Sequence, residues 1–261
     1  MICTVKDTIT QKQFETALSV QDTSTVCCEL GAKFSAFGRL PGSGWQFYTG
    51  SSTESPFALA VRGQSALLAG QADSEELDSF LRFLGVERIK TVEQPPLGWQ
   101  QDTVMERFVL RAGHQLSVPE CSSEMQLECT PSMGQVVDFL SSGEVFKNQP
   151  QEVLDCFYSE VCTMVNHGFA EIWAVRGPGG IAATAGAYAI YGGKAYLASV
   201  ETAPEMRGQG IGGFLTCALS NKLAADGLEV ELLSRPGYEP FYRKLGFVSD
   251  GSCGWYVPPL K

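Results

Sequence analysis

The passage Val200-Glu201-Thr202-Ala203-Pro204-Glu205-Met206-Arg207-Gly208-Gln209-Gly210-Ile211-Gly212-Gly213 constrains this chain more than any other. Lys194 to Thr202 predicts a strand, and the chain then turns at Pro204. A helix is expected from about Gly210 to Ala225, with Phe214, Leu215, Ala218, Leu219 and Leu223 on its apolar stripe and Gly227 past its end. Glycines at a helix mouth let the backbone take positive φ and come close to a ligand. The first helical N–H groups have no intrahelical partner, and the helix dipole adds partial positive charge. The passage therefore predicts an anion site suited to a diphosphate, with Arg207 adding a fixed charge at its edge.

Two phosphate-binding readings fit these glycines. Gly208, Gly210 and Gly213 satisfy G-x-G-x-x-G, and Glu231 follows about where a ribose-binding acid would sit. A dinucleotide fold, however, puts its glycines directly after a strand of a parallel unit. Here Ala203 to Arg207 intervene, and the strand is reached through tight hairpins, which join antiparallel neighbours. A nicotinamide dinucleotide site is the remote alternative.

Around the loop the pattern is mixed α and β. Pro150 to Asn166 predicts an amphipathic helix ending before Gly168. Glu171 to Val175 and Ile181 to Tyr191 predict a hairpin about Gly177-Pro178-Gly179-Gly180, and Gly192-Gly193 turns the chain into the strand that carries the loop. Leu228 to Leu233 predicts a short strand, Tyr238 to Leu245 a short helix, and the end is strand-like. The amino-terminal half shows a fainter version: a hairpin in Phe57 to Ala69, a helix marked by Leu77, Phe80, Leu81 and Leu84, and a strand at Arg88 to Val92. Ala60-Val61-Arg62-Gly63 echoes Ala174-Val175-Arg176-Gly177, which suggests a degenerate duplicated lobe. The expected division is residues 1–117 and 118–261, within the polar stretch from Gly113 to Pro131.

Composition narrows the function classes. A net charge of −10 repels phosphate backbones and anionic membranes, so nucleic acid and membrane surfaces are not expected partners. Nine cysteines show no Cys-x-x-Cys pair, and His114 and His167 are far apart, so no metal site is expected. Met1 to Gln11 has no apolar leader core, and reduced cysteines in a cytoplasmic protein are the expectation.

The loop resembles the coenzyme A loop of the GNAT N-acetyltransferases, Arg/Gln-x-x-Gly-x-Gly/Ala, on Arg207, Gly210 and Gly212. Downstream, Phe241-Tyr242-Arg243-Lys244-Leu245-Gly246-Phe247 is similar to the family's aromatic-Tyr-x-x-x-Gly-Phe ending. The resemblance covers roughly Pro131 to Lys261. It implies an α+β sandwich, with a GNAT-type, mostly antiparallel mixed sheet flanked by helices and preceded by a smaller α/β lobe.

The resemblance also implies roles. Acetyl-CoA is the co-substrate, held by main-chain groups at Val200 and Thr202 along its pantetheine arm and by the amides of Arg207, Gly208, Gln209, Gly210, Ile211, Gly212 and Gly213 at its diphosphate. Tyr242 matches the tyrosine that protonates the departing thiolate. The base is less marked: Lys194, Tyr196 and Ala198 stand where family branches carry a Glu or His, and Glu201 is the nearest acid. Arg235 replaces an asparagine common near the cofactor arm. The implied activity is direct acetyl transfer, without a metal, to a primary amine on a small molecule or protein. The first lobe would wall the acceptor site or mediate homodimerisation. A non-catalytic acyl-CoA-binding regulatory module is the other reading.

Overall fold

A computed structural model describes residues 1–20, 25–50, 56–144 and 146–259. In chain order the elements are β1 (Ile2–Thr4), α1 (Thr8–Val20), α2 (Thr25–Phe37), β2 (Gln46–Gly50), β3 (Phe57–Arg62), β4 (Ser65–Gly70), α3 (Ser74–Phe83), β5 (Arg88–Thr91) and β6 (Gln100–Leu110). They continue with β7 (Gln126–Glu128), α4 (Met133–Ser142), α5 (Gln151–Asn166), β8 (Glu171–Gly177), β9 (Gly180–Tyr191), β10 (Lys194–Thr202), a 3-10 turn at Pro204–Met206, α6 (Ile211–Ala225), β11 (Glu229–Ser234), α7 (Glu239–Leu245) and β12 (Val248–Val257).

The chain divides into two compact units. The first comprises Met1–Arg107, Ser234–Pro236 and Gly251–Lys261; the second comprises Phe108–Leu233 and Gly237–Asp250. The change of unit thus falls inside β6 and again inside β12, whose residues from Gly251 onward are grouped with the first unit. Each unit repeats one order: strand, two helices, three strands, helix, strand. In that order the β3–β4 hairpin corresponds to β9–β10, whereas Ala174-Val175-Arg176-Gly177 lies at the end of β8. The repeated order is real, but the matching tetrapeptides mark different hairpins.

In the first unit the strands run β1-β2-β3-β4-β5-β12, antiparallel except for β4 beside β5. Leu59, Val61, Leu68, Leu77, Leu81 and Ile89 form its core. In the second unit the order is β11-β10-β9-β8-β7, antiparallel except for β10 beside β11. Strand alternation sends side chains to two faces. Trp173, Val175, Ala183, Ala185, Ala187 and Leu197 pack with Leu215, Leu219 and Leu223 of α6. Ile172, Ile181 and Tyr188 go to the other face, with Val136 and Leu140 of α4 and Val161 of α5. The alanines of β9 leave room for α6, whose leucines are fully buried at 215, 219 and 223. Each such leucine contributes about 1.5–3 kcal/mol by leaving water, so α6 is firmly seated and its amino-terminal mouth is fixed in place.

Candidate functional site

The parallel pairing of β10 with β11 runs from Lys194↔Glu229 to Leu197↔Leu232 and stops, although β10 continues to Thr202. Beyond Leu197 the main chain of β10 is outside that ladder. On its other side β10 keeps β9, but the register shifts between Ala198 and Glu201. Ser199 takes φ 49° in this bulge, and its carbonyl accepts from Thr184 Oγ1 at 3.3 Å. Val200 packs against the α6-side core, and Thr202 pairs with Ala183.

After Thr202 the chain makes the 3-10 turn, extends through Arg207, and enters α6 with Gly208 and Gly210 both at φ 80°. Gly210 is the cap residue in the left-handed region, and no side chain caps the helix. A Cβ at Gly208 would meet nothing within 4 Å, so the backbone angle is what demands glycine there. At Gly212 space decides instead: a Cβ would lie 2.7 Å from Thr202 Oγ1. The first intrahelical bond is Phe214 N–H to Gly210 O at 2.8 Å. The amides of Ile211, Gly212 and Gly213 therefore precede the helix's own ladder, and no acidic residue stands in the first turn. This mouth fits a diphosphate: its donors are main-chain, its charge is the helix dipole, and its glycines keep side chains out.

The Arg207 side chain makes three hydrogen-bonded contacts within the unit. Its Nε donates to Thr202 O at 3.1 Å, one terminal nitrogen to Glu144 Oε1 at 2.8 Å, and the other to Glu201 Oε1 at 3.1 Å. The bond to Glu144 holds the guanidinium proton above its ordinary range. Tyr238 Oη donates to the other oxygen of Glu144 at 3.1 Å, which raises that phenol as well. Glu201 is buried, pairs across the strands with Thr184, and lies against the end of α4, where a Cβ at Gly143 would come within 2.9 Å of its carboxyl carbon. Strand alternation thus sends Glu201 to the α4–α5 face.

Tyr242 lies in α7 and packs partly buried against the α6-side core, with Phe108, Phe241 and Phe247 around its ring at 5.9, 5.0 and 6.1 Å between centroids. Gln209 turns back, its amide donating to Glu205 O at 3.4 Å. Trp173 is a core residue, whereas Tyr188 stacks on Phe157 on the opposite face, where burial pushes its phenol up to about 12. Burial likewise pushes the Cys217 thiol up to about 11, which suits packing and not nucleophilic attack. His167 caps α5, its Nδ1 lying 2.8 Å from Thr163 O. Among the described residues no group of His, Cys, Asp and Glu is arranged to hold a metal ion, and no helix is long and apolar enough to cross a membrane.

The loop, Glu201 and Tyr242 lie in one unit, and Glu144 and Tyr238, which sequence reasoning missed, join Arg207 there. Glu144 follows α4 in a polar stretch, and no local pattern ties it to a residue 63 positions away.

Residues 168–249 match the model of the acetyltransferase (GNAT) domain family, a span that holds β8 to α7 and both motifs. No curated protein matches the sequence significantly. Among solved structures, a tandem GNAT protein from the clavulanic acid biosynthesis pathway is similar at TM-score 0.65 and 14% identity, covering 100% of this chain and 99% of that one. A Drosophila protein reaches TM-score 0.68 at 12% identity, with 99% and 98% covered. A GCN5-related N-acetyltransferase from Kribbella flavida reaches 0.58 at 17%, with 89% and 96% covered. At such identities the likeness is one of fold, and it spans both units. The match to the GNAT domain thus lies at residues 168–249, and the first unit repeats the order of elements of the second.

Proposed function

We propose that the second unit binds acetyl-CoA and transfers its acetyl group directly to a primary amine. The observation that carries this reading is the mouth of α6: uncapped main-chain amides, approached through Gly208 and Gly210, beside a strand that has left its parallel neighbour at Leu197. The amides of Arg207, Gly208, Gln209, Gly210, Ile211, Gly212 and Gly213 would hold the diphosphate, and main-chain groups of Val200 and Thr202 the pantetheine arm. Bound there, the coenzyme supplies an activated acyl thioester.

Transfer to an amine asks three things of the chain: a proton taken from the amine, donors for the oxyanion, and a proton for the sulfur that leaves. Main-chain N–H groups of β10 beyond Leu197 are the oxyanion donors in this reading. Tyr242 is the acid that protonates the sulfur. Glu201 is the nearest carboxylate to serve as base in this reading, and one of its oxygens accepts from Arg207. The fold supports acyl transfer in general, and the acceptor class rests on the resemblance.

Calorimetry with acetyl-CoA and with free coenzyme A tests the site, and amine-dependent release of free thiol across a panel of amines tests the chemistry. The expected result is saturable binding of both ligands and turnover with at least one amine. Binding without turnover for any acceptor would turn the reading to a regulatory module, and no binding would sink it.

A further inference from the structure

The three hydrogen-bonded contacts of Arg207 are the least expected feature of the second unit. Its backbone leads straight into Gly208 and the amides that follow, yet its side chain turns to Thr202 O, Glu144 and Glu201. The two carboxylates are not alike. Glu201 is held: it is 7% exposed, wedged against Gly143, and carried by a paired strand. Glu144 is half exposed, at 50% of its side chain, and its second oxygen is tied to the exposed Tyr238. One guanidinium against two carboxylates leaves a net charge of −1 beside the amides proposed for a diphosphate. Guanidinium forms charge-assisted, bidentate pairs with phosphate as well as with carboxylate. An incoming diphosphate and Glu144 therefore call on the same side chain.

We infer that Glu144 is a positioning residue that competes with the coenzyme diphosphate for Arg207, so that coenzyme binding breaks the Glu144–Arg207 pair while Glu201, buried and fixed, keeps its bond. This inference rests on the coenzyme reading given above. Glu144 lowers coenzyme affinity, and the coenzyme, by taking Arg207, releases Glu144 and Tyr238 from the cofactor loop. A residue holding the loop for stability alone would act the other way, since its loss would weaken binding.

The test is a double-mutant cycle on binding of free coenzyme A, with pantetheine, which has no diphosphate, as the control ligand. Glu144→Gln is expected to tighten coenzyme A binding about two- to fivefold, the range for a partly exposed ion pair, and to leave pantetheine unchanged. In an Arg207→Gln background the same change should have no effect on either ligand. Unchanged or weakened coenzyme A binding in Glu144→Gln would overturn the inference. So would tightening that persists without Arg207, because it would reveal simple repulsion between Glu144 and the phosphates. Those outcomes leave the coenzyme reading standing, whereas an unmodified protein that binds no coenzyme A removes both. Glu144→Asp, which keeps the charge but shortens its reach, should fall between the two.

Discussion

In the first unit, β4 ends at Gly70 and α3 begins at Ser74, with Asp73 as its cap. Asp73 Oδ1 accepts from Glu76 N–H at 2.9 Å, Glu75 and Glu76 fill the first turn, and Glu76 also accepts from Ile2 N–H at 2.8 Å. In the second unit, β10 ends at Thr202, and the longer passage through Gly208 and Gly210 delivers an uncapped α6 with no acid in its first turn. Both helices follow a strand that runs parallel to its successor over four residue pairs. The scaffold is the same, and the chemistry of the mouth is opposite. Where a side-chain carboxylate answers the helix dipole, the positive end is already spent; where glycines stand, it faces outward. The first unit also has no helix between β5 and β6, the step at which α7 brings Tyr242 into the second. The mouth of α6 carries no acid of its own, whereas that of α3 is closed by Asp73, Glu75 and Glu76.

The sharpest way to break this contrast is to give α6 the chemistry of α3. Asparagine and aspartate both tolerate the left-handed backbone that Gly210 adopts, and they differ in charge alone. Gly210→Asn is expected to lower coenzyme A affinity about tenfold through the added side chain, and Gly210→Asp on the order of a hundredfold further, since a carboxylate beside a diphosphate is worth several kcal/mol of repulsion at short range. Calorimetry on the two variants reads the difference directly. Equal losses would mean that shape and not charge separates the two mouths.

Next in size is the proposed acid. Tyr242→Phe keeps the ring among Phe108, Phe241 and Phe247 and removes only the hydroxyl. Turnover with a responsive amine should fall about a hundredfold, the lower end for loss of a general acid, with the KM for acetyl-CoA changed less than about twofold. An unaffected rate would remove Tyr242 from the mechanism and leave α7 as packing.

How much of this was legible in the sequence depended on how local the signal was. The loop, the β8–β9–β10 meander and α6 declared themselves through Gly and Pro punctuation and through apolar spacing, and β10 starts and ends at the expected residues. Pro150 proved to be the cap of α5 and not a residue of its first turn. Helix α2 gives no periodic signal because it shows no polar stripe: Thr25, Glu29 and Gly31 are buried along with Val26 and Leu30. The duplication is legible in the order of hairpin, helix and strand that the two units share, and not in the tetrapeptide, which lies on different hairpins. The Glu144–Arg207–Tyr238 group was out of reach, since its members come from the end of α4, the glycine-rich loop and the start of α7.

The smallest expected effect lies in the closed mouth. Asp73→Ala removes the cap of α3, and the cost should be about 1 kcal/mol, seen as a lowering of the unfolding temperature by a few degrees. Coenzyme A affinity should not change, because the second unit holds the proposed site. Added sulfate discriminates between a mouth that is merely plugged and one that is chemically closed. With Asp73 gone, the amides of the first turn are still faced by Glu75 and Glu76, and Glu76 remains hydrogen-bonded to Ile2 N–H. Sulfate should therefore restore no more stability to the variant than to the unmodified protein. Selective rescue by sulfate would show that one carboxylate alone had been masking a working anion site, and the two units would then differ by a plug and not by their design.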